Sequence, residues 1–139
     1  MLRAVLDANV IISALIQPKG ASGRIVASLL EENSFELVLS PAILAEMLRA
    51  LTYPKVRKYI KVSDEDLDLA VAALALVAQP VEGILRVDAV AEDADDNKYI
   101  EAALEGRAQF IVSGDRHLKS LKSYRGIRIV TPRTFLELL

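Results

Sequence analysis

Cysteine is absent from this 139-residue chain, and His117 is the single histidine. Without thiols there are no disulfides, no thiolate metal ligands and no cysteine nucleophile, and one imidazole cannot build a histidine-rich metal site. Any metal held here takes oxygen ligands, the preference of magnesium and manganese. Long hydrophobic runs are also missing. Hydrophobic residues make up 53 % of the chain and mean hydropathy is +0.31, yet charged or polar residues interrupt every run before the roughly 18 residues that a membrane span needs. There is no basic excess, since 17 Lys and Arg face 19 Asp and Glu for a formal net charge of −2. That counts against a plain nucleic-acid-binding module, whose partner is drawn by positive charge. A metal-dependent nuclease stays open, because divalent ions then lie between protein carboxylates and substrate phosphates. The Gly-x-Gly-x-x-Gly and phosphate-loop patterns are missing, which argues against dinucleotide and nucleoside-triphosphate chemistry.

No repeat, low-complexity tract or linker divides the chain, so residues 1–139 read as a single domain with one core. Met1-Leu2-Arg3 leads directly into strand-like sequence rather than a signal peptide, and the expected location is cytoplasmic. Short apolar strands alternate with helices along the rest. Strands are expected at residues 2–7, 35–39, 108–112 and 127–130, with a short, edge-like one within Pro80–Val87, which Gly83 interrupts. Helices are expected at 10–16, 21–32, 42–52, 56–60, 67–78, 97–106, 116–121 and 132–139. Proline follows a cap residue at Ser40-Pro41 and Thr131-Pro132, and Gly106 fits the C′ position of its helix. Helix 21–32 should bury Ile25, Val26, Leu29 and Leu30, and helix 42–52 should bury Ile43, Leu44, Met47, Leu48 and Leu51. Strands alternating with helices indicate an α/β fold: a parallel sheet with helices on both faces.

Two strands end alike, Val5-Leu6-Asp7 and Ile111-Val112-Ser113-Gly114-Asp115. The carboxyl ends of parallel strands share one edge, where ligands bind in open sheets. Asp7 also suits the cap of the next helix. Asp96 and Asp93 precede Ile100 by four and seven residues, so on a helix both would extend its buried stripe, while Asp95 would point elsewhere. Helix-dipole complementarity explains one or two acids at a helix start, but not two that continue the core face. Glu46 lies on the border of an apolar helix face, a position from which glutamates usually reach water. Acids gathered this way repel one another, and a divalent cation removes that cost. Such a site hydrolyses phosphodiesters.

Four segments, in order, resemble the motifs of PIN-domain proteins: residues 5–15 (VLDANVIISAL), 40–46 (SPAILAE), 93–99 (DADDNKY) and 111–118 (IVSGDRHL). The resemblance covers nearly the whole chain and is nearest to the toxin branch of bacterial and archaeal toxin–antitoxin pairs. It implies a three-layer α/β/α sandwich with a five-stranded parallel sheet of order 3-2-1-4-5, which makes the strands ending in Asp7 and Asp115 neighbours. It implies a magnesium- or manganese-dependent ribonuclease with RNA as substrate; the toxin branch adds an antitoxin protein as partner, while the high apolar content hints at a homodimer or an antitoxin-covered surface. Matched position by position, Asp7, Glu46, Asp96 and Asp115 correspond to the acidic, metal-binding quartet. Asn9 and Ser113 correspond to polar supporting positions expected to orient carboxylates, and Asp93 to a further acid of this branch. A slip of one residue in the 93–97 segment would exchange Asp95 and Asp96.

The remaining polar residues are less specific. Arg116, Lys119, Lys122 and Arg125 follow Asp115 and are placed to meet an RNA backbone. Lys55, Arg57, Lys58 and Lys61 read equally well as a solvated face. His117 reads as a surface residue, Ser13 as local packing, and Tyr53 and Tyr99 as core or rim. Two rival functions remain open at this level. One is a phosphatase on a similar sheet, although Asn9 stands where a haloacid-dehalogenase-like enzyme would carry its second aspartate. The other is a non-catalytic interaction domain, for which the high apolar content hints at a covered surface.

Overall fold

The computed structural model describes residues 1–90 and 93–139. Its centre is β1 (Arg3–Leu6), which pairs in parallel with β2 (Glu36–Leu39) on one side and β4 (Phe110–Val112) on the other. β3 (Gln79–Pro80) lies beyond β2, and β6 (Ile127–Val130) beyond β4. The parallel order β3-β2-β1-β4-β6 is the expected 3-2-1-4-5 arrangement. A sixth strand, β5 (Ser123–Tyr124), adds an antiparallel edge to β6. It escapes the sequence because it has only two residues, but its hairpin has a local cause. Arg125 (φ 48°) and Gly126 (φ 85°) take the left-handed conformations that a two-residue hairpin turn requires.

The sheet residues alternate between two cores with the period of a strand. Ala4, Leu6, Leu37, Phe110, Val112 and Val130 pack with α1 (Ala8–Ile16), α2 (Ala21–Glu32), α5 (Asp64–Val77) and α8 (Pro132–Leu138). Val5, Val38, Ile111 and Ile129 face α6 (Asn97–Glu105) and α7 (Arg116–Leu121). Helix α3 (Pro41–Ala50) serves both, through Met47 on the first side and Ile43 on the second. Short α4 (Pro54–Arg57) follows it. Two expected core residues are not buried: Leu30 and Leu48 stand at the edges of their stripes, 38 % and 45 % exposed. On α5 only Leu67 and Leu74 are buried, and Leu69 and Leu76 face outward. No helix among the described residues is long and apolar enough to cross a membrane.

The strand expected over Pro80–Val87 shrinks to its first residue. Gly83 turns the chain with φ 79°, and the amides that follow find acceptors on a helix instead of a strand. Glu105 accepts from Gly83, Ile84 and Leu85 at 3.0, 3.0 and 3.3 Å. Glu101 accepts from Val87 at 3.0 Å, and the Asn97 side-chain oxygen from Ala89 and Val90 at 2.9 and 2.7 Å. Residues four apart share one helix face, so three side chains of α6 strap an irregular segment along it. Gly106 has a different role from the one its position suggests. Its φ is −86° and the left-handed residue is Arg107 (φ 54°). A Cβ at Gly106 would lie 2.4 Å from Val38 Cγ1, so close approach of α6 to β2 is what requires glycine.

Candidate active site

Strand register creates the first half of the site. Leu6 is level with Val112, and the Asp7 amide continues the ladder to the Val112 carbonyl at 3.0 Å. Asp7 therefore emerges beside Ser113, whose hydroxyl donates to Asp7 Oδ2 at 2.7 Å. Asp7 Oδ1 accepts from the Asn9 amide at 3.0 Å, so the acid also caps α1. Asp115 repeats the arrangement: its amide donates to Ser113 Oγ at 2.9 Å, and its Oδ2 accepts from the Leu118 amide at 3.0 Å to cap α7. One buried serine thus joins both strand-end acids. Asn9 holds Asp7 through its backbone; its side chain makes no hydrogen bond among the described residues and is exposed.

The acidic segment is built differently from its expected form. Asp93 begins a single 3-10 turn, Ala94–Asp96, rather than the first turn of α6, and its carboxylate accepts from the Asp95 amide at 3.2 Å. The helical spacing used to align Asp93 with Ile100 therefore stops at Asn97. The division between neighbours survives. Asp96 is partly buried, and its Oδ2 is enclosed with no hydrogen-bond partner among the described residues. Asp95 is exposed and pairs with Lys98 at 3.1 Å.

Glu46 reaches the site from α3. Its Oε2 accepts from the Tyr99 hydroxyl in a short hydrogen bond and pairs with Lys98 Nζ at 3.0 Å. The same Tyr99 hydroxyl accepts from the Ala8 amide at 3.3 Å, which ties α3 to the end of β1. These roles of Lys98 and Tyr99 were not read from the sequence. Both residues lie inside the acidic motif, but only the fold shows that they face Glu46. Arg116 and Lys119 are exposed on α7, next to Asp115. Arg57 pairs with Asp64 instead of standing free.

The electrostatics are those of crowded acids. Burial raises the Asp7 pKa, partly opposed by the hydrogen bonds from Ser113 and Asn9, and the Glu46 charge raises it further. Asp96 is pushed up to about 7, first by burial, then by the charges of Asp115 and Asp93 and by a hydrogen bond that its protonated form shares with Asp115, with the Asp7 charge adding to them. Tyr99 is also raised, by burial first, and stays a neutral donor. Lys98 is raised because its pairing with Glu46 and Asp95 outweighs a burial effect in the opposite direction. Among the described residues, no three acidic or histidine side chains stand ready to enclose an ion as they are. The donor set nevertheless suits a hard cation: it is all oxygen, its members repel one another, and one buried oxygen has no partner.

A family model for the PIN domain matches residues 3–117. The chain belongs to this family, whose members are generally nucleases that use divalent metal ions. The protein MJ1680 of Methanocaldococcus jannaschii is 33 % identical over an alignment spanning 98 % of this chain and 90 % of the relative. The fold matches a chain in the crystal structure of VapBC2 from Rickettsia felis bound to a DNA fragment from their promoter. There the TM-score is 0.60 and identity 12 %, with 94 % of this chain and 98 % of that chain covered.

Proposed function

We propose that this chain is a magnesium- or manganese-dependent endoribonuclease that hydrolyses RNA phosphodiester bonds, and that it acts as the toxin of a toxin–antitoxin pair. The observation that carries the reading is Asp96. It is an acid whose pKa is pushed up to about 7 by burial and by Asp115 and Asp93, with an unpartnered oxygen, while Lys98 is engaged by Glu46 and Asp95. A group that resists ionisation beside other acids is costly in the free protein and gains most from a divalent ion.

Asp7, Asp96 and Asp115 would hold that ion, with Glu46 as a further ligand or a base that orients water, and Asp93 as an outer acid. When bound, the ion supplies Lewis acidity toward a phosphodiester and lowers the pKa of an attacking water. The chain's own residues do the positioning. Ser113 and the Asn9 amide fix the two oxygens of Asp7, and Ser113 accepts the Asp115 amide. Tyr99 and Lys98 aim Glu46. Arg116 and Lys119 would meet the RNA backbone.

The solved VapBC2 assembly supports an antitoxin partner by fold likeness. The outward apolar residues Leu69, Leu76 and Ile84 support a surface covered by that partner or by a second copy in a homodimer. Labelled RNA and a panel of phosphate monoesters, incubated with the purified chain and Mn²⁺ or Mg²⁺, test the chemistry. RNA cleavage that stops on chelation and in Asp7→Asn is the expected result. Monoester hydrolysis without RNA cleavage would favour the phosphatase, and neither activity the interaction domain. Native mass measurement, alone and with the product of any adjacent gene, tests the assembly.

A further inference from the structure

Beside Asp115 lies a cavity of about 320 Å³ that reaches past the acidic cluster to Ser13, Ser22 and Pro132. Asn9, Ser13, Ser22, Gly114, Asp115 and Pro132 line it. Ser22 is the informative residue. The residue is only 7 % exposed, it lines the cavity, and its hydroxyl makes no hydrogen bond among the described residues. The side chains of Asn9 and Ser13 are likewise without protein partners there. Ser22 lies in the first turn of α2, a helix of 12 residues. Gly20 begins that helix with no side-chain cap, so its leading amides receive no side-chain acceptor. Gly23 keeps the start in place, because a Cβ there would lie 2.1 Å from the Pro18 carbonyl oxygen. Lys19 and Arg24 flank it, both exposed.

We propose that this cavity seats a backbone phosphate of the RNA strand, one step along from the scissile bond, against the N-terminus of α2. The inference rests on the ribonuclease reading and names where its substrate lies. Free helix amides, the positive end of the helix dipole and neutral hydroxyl and amide donors make an anion site without requiring a cationic side chain. A phosphate suits this set better than a carboxylate does. It offers several acceptor oxygens to the Ser22 hydroxyl, the α2 amides and the Asn9 amide group together. Asp115, which also lines the cavity, opposes a bare anion there. The seat should therefore fill well only when a divalent ion offsets the Asp115 charge, which links strand binding to the acidic site.

Binding can be measured apart from cleavage. A short fluorescein-labelled single-stranded RNA is titrated with the full chain in Ca²⁺, with the RNA checked for integrity on a gel. Gly20→Asp supplies the missing cap, and its Cβ would stand no closer than 3.4 Å to any neighbour. It should leave thermal stability unchanged or higher while its carboxylate occupies the same amides, weakening RNA binding about tenfold or more. Ser22→Ala should weaken binding by about threefold. In ¹⁵N spectra recorded with Ca²⁺, inorganic phosphate should move the amides of residues 21–23 in the parent chain and not in Gly20→Asp. Wild-type RNA affinity in Gly20→Asp, or phosphate shifts that miss residues 21–23, would overturn the seat. Mn²⁺-dependent RNA cleavage by the parent chain is scored separately. If it persists, the loss falls on this inference alone; if it is absent, the ribonuclease reading falls with it.

Discussion

Asp7 and Asp96 carry the same functional group into one cluster, and they are held in opposite ways. Asp7 ends a central strand, and both its oxygens are satisfied, by Ser113 and by the Asn9 amide. Asp96 ends a 3-10 turn, with one oxygen enclosed and unpartnered. Behind Asp7 stands a ladder of backbone pairs. Behind Asp96 stands the strapped segment, whose amides from Gly83 to Val90 hang on three side chains of α6. The strand end is set by register, which cannot slip without turning core residues to solvent. The turn is set by side chain–backbone bonds, each of modest worth. The difference places the register-held acid on the strand side of the cluster and the acid held by side chain–backbone bonds on the other.

The strongest way to break this contrast is to remove the strand-end charges. Asp7→Asn and Asp115→Asn should each lower RNA cleavage by at least ~10³-fold, equivalent to roughly 4 kcal/mol of transition-state stabilisation, with the circular-dichroism spectrum retained. Cleavage surviving in both, with contaminating nuclease excluded, would separate the strand ends from the chemistry.

Asn97→Ala attacks the other side. It takes the acceptor from two amides, Ala89 and Val90, and should cost about 2 kcal/mol in urea unfolding. Hydrogen exchange should rise over the strapped segment and leave β1 and β4 protected. A rise that spreads evenly to β1 would show that the two regions are not distinct.

The pH dependence sharpens the contrast further. Asp96 rises from 3.8 to about 7 on folding, so between those values the native state holds a proton that the unfolded chain has released. Metal-free stability from this group is therefore full below pH 3.8 and declines as pH rises toward 7. Asp96→Asn should flatten that decline in melting experiments, and Mn²⁺ should reverse it in the parent chain above pH 7. A Mn²⁺ effect of equal size in Asp96→Asn would remove Asp96 from the ion site.

The smallest effect is expected from Glu101→Gln, whose carboxamide oxygen can still accept the Val87 amide; stability should change by less than ~0.5 kcal/mol. A larger loss would mean that the strap depends on the charge of Glu101 and not only on its geometry.

Much of the molecule is written in local pattern. Leu2–Leu6 and Ala108–Val112 announce strands because short apolar runs end in cap residues, and Ser40-Pro41 and Thr131-Pro132 begin helices where the structure has them. Asp7 and Asp115 are legible for the same reason, since a cap at a parallel strand's carboxyl end is both a local signal and an edge position. Asp96 was reached by a helical spacing that the 3-10 turn does not keep, although it still faces inward. The Pro80–Val87 strand failed because its amides are claimed by Asn97, Glu101 and Glu105, residues that look like an ordinary solvated helix face. Tyr99 read as core or rim. Its hydroxyl links Glu46 to Ala8 across 53 and 91 residues of chain, a separation no window of sequence spans.

The sequence by itself determined the alternation of strands and helices, the exclusion of thiolate and histidine-rich sites, and the acids at the strand ends, because each follows from residue type and near-neighbour spacing. The tertiary structure decided which acid is left without a partner, what aims Glu46, how residues 81–90 are held, and that Ser22 opens into a cavity beside Asp115. Those depend on which surfaces meet when the sheet closes on its helices, and burial, charge crowding and hydrogen-bond satisfaction have values only once those surfaces have met.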